Sequence, residues 1–132
     1  MQKIYTLLLF NKKVNGDAMI QSTAFGTINI DGVTYTSDVI IFPDGSVQDG
    51  WWRQRGHVLR VDDILTLVDT APELIVIGTG ASGRMRPDAA VKPFLEEKKI
   101  GFIAESNPRA MDVYNDRLKA GVKVGAGFHL TC

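Results

Sequence analysis

The sequence predicts an α/β fold on two observations. The first half is a series of short β-prone runs separated by turn signals. The second half alternates helical apolar spacing with short, continuous apolar runs. A length of 132 residues suits one domain with its own core and leaves no room for a second.

The elements follow in order. Residues Phe25 to Ile30 (FGTINI) and Val33 to Phe42 (VTYTSDVIIF) flank Asp31-Gly32, a dipeptide suited to a tight hairpin turn. Pro43 to Ser46 (PDGS) supplies a second turn, and Val47 to Arg53 reads as a further strand carrying Trp51 and Trp52. From Val61 the period changes to helical. Asp62 and Asp63 sit where a helix N-terminus favours negative charge, Ile64, Leu65, Leu67 and Val68 form an apolar stripe, and the helix is expected to end before Pro72. Leu74 to Ile77 is a buried strand by its continuous apolar character. Pro93 is compatible with a helix only in the first turn, so the next helix is placed close to Lys92. Ile100 to Glu105 is a second buried strand. A helix capped by Ser106 or Asn107 follows, with Pro108 near its first position and Ala110, Met111, Tyr114 and Leu118 facing inward. Gly121 stops it, and Val122 to Phe128 forms the last strand. This βαβαβ order predicts parallel pairs and a sheet covered on both faces, with the early strands joining it or packing as a separate hairpin layer.

Fifteen basic and fifteen acidic residues cancel, so no global field draws in a polyanion, and nucleic acid is not an expected partner. The apolar run Ile4 to Phe10 is far too short to span a membrane, and no small-residue cleavage site follows it. Residues 1–20 are therefore read as an N-terminal extension or strand and residues 21–132 as the domain. Cys132 is the only cysteine, which excludes an intramolecular disulfide and points to the cytoplasm.

Three constellations carry candidate chemistry. Gly78, Gly80 and Gly83 have the G-x-G-x-x-G spacing after an apolar strand, Glu105 ends the next strand where a ribose would be met, and Arg84 and Arg86 suit a carboxylate or phosphate. A phosphate cradle needs a helix N-terminus directly after the glycines, and Pro87 and Pro93 delay that helix. The competing reading is a sharp backbone exit from a buried strand. The second constellation is WWRQRGHVLR, with Trp51, Trp52, Arg53 and His57. Alternation places one tryptophan in the core and the other at a surface or pocket, and tryptophan beside arginine marks protein interfaces more than a short nucleic-acid stripe. The third is His57, His129 and Cys132. The terminal H-x-x-C supplies two ligands where zinc takes three or four, so no metal is expected. No cofactor is expected either, and no nucleophile triad or catalytic carboxylate pair is evident.

The segments DGWWRQRGHVL, PELIVIGTG and AMDVYNDRLKAGVKVGAGFHLTC, in this order and spacing, resemble the Mth938-like family of small single-domain proteins, from about Phe25 to the C-terminus. That family of unknown function includes a mitochondrial complex I assembly factor and an adipogenesis-associated cytoplasmic protein. The resemblance implies a three-layer α/β domain around a mixed central sheet. It implies binding to other proteins rather than a shared reaction. The expected function is thus a protein-binding or assembly module presenting Trp51, Trp52, Arg53 and His57. The alternative is a small-ligand or nucleotide-binding protein, with or without turnover, holding an anion at Gly78, Gly80, Gly83, Arg84, Arg86 and Glu105.

Overall fold

The computed structural model describes residues 18–132, so the run Ile4 to Phe10 lies outside the described residues. Five strands form the central mixed sheet, in the order β5-β4-β10-β7-β9: β4 (Val39–Ile41), β5 (Val47–Asp49), β7 (Leu74–Gly78), β9 (Gly101–Glu105) and β10 (Val124–Phe128). β7 pairs in parallel with both β9 and β10, whereas β10 meets β4, and β4 meets β5, in antiparallel fashion. β7 leads to β9 through α2 (Val91–Glu97), and β9 leads back through α3 (Asn107–Lys119) to β10 on the other side of β7, so each parallel pair is reached by a crossover.

The early strands do both things open to them. β4 and β5 join the sheet, and β1 (Ile20–Ala24), β2 (Thr27–Ile30) and β3 (Val33–Tyr35) make a separate antiparallel meander. β1 falls at the boundary of the segment read as an extension and has no counterpart in the sequence reading; Asn115 of α3 clamps it by accepting from the Ile20 N–H at 3.0 Å and donating to the Ile20 carbonyl at 2.8 Å. The run FGTINI starts as a turn, with Gly26 at φ 82°, before β2 begins. Asp31 (φ 52°) and Gly32 (φ 84°) close the β2–β3 hairpin in the left-handed conformation this turn demands.

The single strand expected over Val33 to Phe42 is two strands in two sheets. Thr36, Ser37 and Asp38 break it, because Asp38 turns inward to hydrogen-bond other segments. The strand expected from Val47 to Arg53 likewise stops at Asp49. The helix from Val61 is shorter than its apolar stripe suggests: a 3-10 turn (Val61–Ile64) runs into a single α-turn, α1 (Leu65–Val68). Asp63 accepts the Arg60 N–H at 2.7 Å and so closes the first turn. The stretch after Gly83 contains β8 (Arg86–Pro87), which pairs in parallel with β6 (Val58–Leu59). Pro87 is tolerated because the ladder bonds come from its neighbours, Arg86 N–H to the His57 carbonyl (2.9 Å) and Asp88 N–H to the Leu59 carbonyl (2.7 Å).

Each face of the sheet has its own core, so the layers number three. Val39, Ile41, Leu74, Val76, Val124, Ala126 and Phe128 pack against the meander and against Ala110 and Tyr114 of α3. Ile40, Ile75 and Ile77 face Ile64, Leu67, Val91, Leu95, Met85 and Trp51. Strand alternation in β10 puts Gly125 and Gly127 on this second face, where Leu67 and the Trp51 ring rest on bare backbone; a Cβ on either glycine would stand 2.8 Å from them.

Gly78 ends β7 where Phe128 and the Asn107 amide close over it, and an added Cβ would collide with both. Gly78→Ala is expected to lower stability by about 1–3 kcal/mol or more. Urea unfolding monitored by circular dichroism checks this, and a midpoint equal to wild type would contradict the packing described.

Candidate functional site

Residues 50–57 have no regular secondary structure, yet they are held at several points. The Gly50 N–H donates to Ser37 Oγ at 2.8 Å and the Trp51 N–H to the Asp38 carbonyl at 2.9 Å, so the segment starts on the break between β3 and β4. Trp51 turns inward (5% exposed), with its indole Nε1 donating to the Asp63 carbonyl at 3.0 Å and its ring over Gly127. Trp52 turns outward and is 78% exposed. The two tryptophans take opposite sides, as alternation suggests, although no strand carries them.

Arg53 goes back inside. At 7% exposure it is not part of the presented surface, which corrects the expectation that it faces a partner. Its Nη2 donates to Asp38 Oδ2 at 2.7 Å and to the Gly56 carbonyl at 3.1 Å, and lies 2.9 Å from His129 Nδ1. The guanidinium carbon stands 4.5 Å from the centre of the Trp51 ring, while Nε and Nη1 find no acceptor among the described residues; the indole π-face is the polar surface they meet instead. His129 Nδ1 is also 2.9 Å from Asp38 Oδ2, and Asp38 Oδ1 accepts the Leu130 N–H at 2.8 Å. Burial resists ionisation of Asp38, but the hydrogen bonds from His129, Leu130 and Arg53, together with the Arg53 charge, outweigh it and hold the carboxyl below its ordinary value of 3.8. A guanidinium, a carboxylate and an imidazole thus fasten three distant stretches of chain to one point.

Beside this cluster lies the glycine loop at the carboxyl end of β7. Gly78 pairs in register with Glu105, and Gly83 approaches Ser106, so the structure brings Gly78, Gly80, Gly83 and Glu105 together. Most of the backbone donors there already have partners. Thr79 N–H bonds the Glu105 carbonyl (2.8 Å), Gly80 N–H the Asn107 Oδ1 (3.0 Å), Ala81 N–H the Thr131 carbonyl (2.7 Å), and Arg84 N–H the Cys132 carbonyl (3.0 Å). The chain's own tail occupies the cradle, and Gly80, at φ 116°, is pressed against Cys132. The Glu105 carboxylate engages Arg109 at 3.2 Å, and Arg84 and Arg86 extend into solvent. β6 and β8 join the two regions, since Arg86 bonds the carbonyl of His57, itself exposed with its ring 5.7 Å from that of His129. Among the described residues no three His, Cys, Asp or Glu side chains converge as metal ligands.

Two contributors were missed in the sequence. Asn107, read only as a helix cap, is fully buried and ties the loop to the tail by also donating to the His129 carbonyl at 2.7 Å. Asp38 was read as one residue of a long strand. Its signal was a carboxylate inside an otherwise β-prone run, TSDVIIF.

The groove beside Trp52 encloses about 390 Å³ and is lined by Gln48, Trp51, Trp52, Gln54, Asp62 and Asp63, among others. Its volume is at the lower end of the range for ligand and side-chain pockets.

The cluster has a measurable signature. Asp38→Asn leaves Arg53 without its counter-charge and is expected to cost about 3 kcal/mol near neutral pH. Because the folded Asp38 titrates below its unfolded value, its stabilisation is complete above that value and disappears as pH falls through the folded one. The stability gap between wild type and Asp38→Asn, measured by urea unfolding at several pH values, should therefore be constant above about pH 5 and shrink below about pH 4. A constant gap down to pH 3 would contradict this assignment.

Residues 20–129 match the family model described as a protein of unknown function (DUF498/DUF598). Solved structures share the fold. MT938 is 26% identical, with a TM-score of 0.71, over 86% of this chain and 98% of that one. A Bartonella henselae protein described as an outer membrane protein is 22% identical, with a TM-score of 0.74, over 89% and 98% of the two chains. A Bordetella pertussis protein described as a Mth938-like domain is 18% identical, with a TM-score of 0.60, over 92% and 91%. The chain therefore belongs to the DUF498/DUF598 family of proteins of unknown function and has the Mth938-like fold.

Proposed function

We propose that this chain is a protein-binding or assembly module of the cytoplasm whose domain spans residues 21–132, and that Trp52 anchors its partner. The observation that carries the reading is Trp52 itself: a tryptophan 78% exposed, at the lip of a groove, on a segment fixed from below by Arg53. A rigid aromatic group held in place loses little entropy on binding, which is why tryptophan is enriched among the residues that dominate interface energies. His57 is exposed farther along the same segment, its ring 5.7 Å from that of His129. No helix among the described residues is long and apolar enough to cross a membrane.

A second reading rests on Arg84 and Arg86, two exposed guanidinium groups with no acidic partner among the described residues, next to Gly78, Gly80, Gly83 and Glu105. They lie where parallel α/β sheets bind ligands, and a small anion held by the side chains would not need the occupied backbone donors. A thermal-shift titration with phosphate and with nucleotides tests it: a saturable shift removed in the Arg84→Ala, Arg86→Ala double variant supports it, and no shift removes it.

For the first reading, Trp52→Ala should leave stability within about 0.5 kcal/mol of wild type, because the side chain is exposed. Photo-crosslinking from position 54 in cells should yield a discrete adduct, identified by mass spectrometry, that Trp52→Ala removes. An adduct of unchanged yield in that variant would sink the proposed surface.

A further inference from the structure

We infer that the groove beside Trp52 receives a basic side chain, arginine or lysine, of the protein partner; this rests on the partner surface proposed above. Asp62 and Asp63 line the groove with two negative charges against one positive charge at Arg60. The Asp63 carboxylate already receives the Arg60 N–H, whereas Asp62 has no hydrogen-bond or ion-pair partner among the described residues. An acidic side chain or a phosphate entering here would meet an unneutralised carboxylate.

The aromatic groups sharpen the choice. The ring of Trp51 already carries the Arg53 guanidinium at 4.5 Å, so that indole is occupied. Among the described residues no cation stands over the Trp52 ring, which is largely exposed. A cation placed over an indole face is attracted by the ring quadrupole, most strongly over tryptophan. Lysine and arginine also bring an apolar stem that covers indole surface while the charged head reaches a carboxylate. The amides of Gln48 and Gln54, exposed on the same rim, offer carbonyl oxygens to the remaining N–H donors of such a head. An exposed indole, an unpaired carboxylate and amide acceptors together form a receptor for a guanidinium or ammonium group.

The test follows the two tryptophan indole N–H signals of the intact chain in a proton–nitrogen correlation spectrum. N-acetyl-arginine amide is the probe, with N-acetyl-glutamate amide and methyl glucoside titrated separately. The arginine probe should shift the Trp52 signal saturably, and Asp62→Asn should weaken it about threefold or more. Raising the salt concentration should weaken it too. The inference is overturned by no saturable shift up to about 50 mM, by an equal response to the glutamate probe, by a response to the glucoside alone, or by unchanged affinity in Asp62→Asn. If the arginine probe fails while Trp52→Ala still removes the partner adduct, the surface stands and the basic side chain does not. If Trp52→Ala leaves the adduct intact, the surface itself is wrong.

Discussion

The contact between Arg53, Asp38 and His129 is the constraint on which the candidate site depends. Asp38 breaks the run between β3 and β4, Arg53 belongs to the irregular segment after β5, and His129 follows β10. None of these stretches has a ladder of its own at that point. The charged cluster replaces the ladder, and backbone N–H groups around it follow: Trp51 donates to the Asp38 carbonyl, Leu130 to the Asp38 carboxylate, and His129 to the Gly78 carbonyl. Buried charges of this kind contribute little net stability compared with an apolar core, but removing one partner strands the other. Their effect here is positional. With Arg53 drawn in and Trp51 set on Gly127, the residue between them has only the outward direction left.

What was legible in the sequence divides along the same line. Elements made by local chemistry were readable: β7 and β9 from their apolar runs, α3 from its stripe and its Gly121 stop, the β2–β3 hairpin from Asp31-Gly32. Elements made by distant partners were not. The division of Val33 to Phe42 into two strands depends on Asp38 meeting side chains 15 and 91 residues away. The short β6–β8 pair depends on a loop that carries no pattern of its own. For the site, the opposite burial of Trp51 and Trp52 was foreseen, but the burial of Arg53 was not, because charge alone reads as exposure.

The glycine loop illustrates why a motif has to be read with its hydrogen bonds. The spacing of Gly78, Gly80 and Gly83 is that of a phosphate cradle, and the loop does occupy the carboxyl edge of the parallel strands. Its amides are nonetheless satisfied by carbonyls of Thr131 and Cys132 and by Asn107. Buried amides take the acceptor the fold brings to them, and here Thr131 and Cys132 supply it. What the loop still offers outward is side chains, Arg84 and Arg86.

The strand order has a consequence for how the molecule comes into being. β10, the last of the described strands, lies in the middle of the sheet, between β4 and β7. Without β10 the β4–β5 pair and the β7–β9 pair share no ladder, and β4 and β7 each have an open edge. The sheet is therefore completed only when residues 124–128 are in place, and an unpaired strand edge is a site for mispairing until then. The two glycines of β10 bind that strand to its layer as well, because only bare backbone there leaves room for Leu67 and the Trp51 ring.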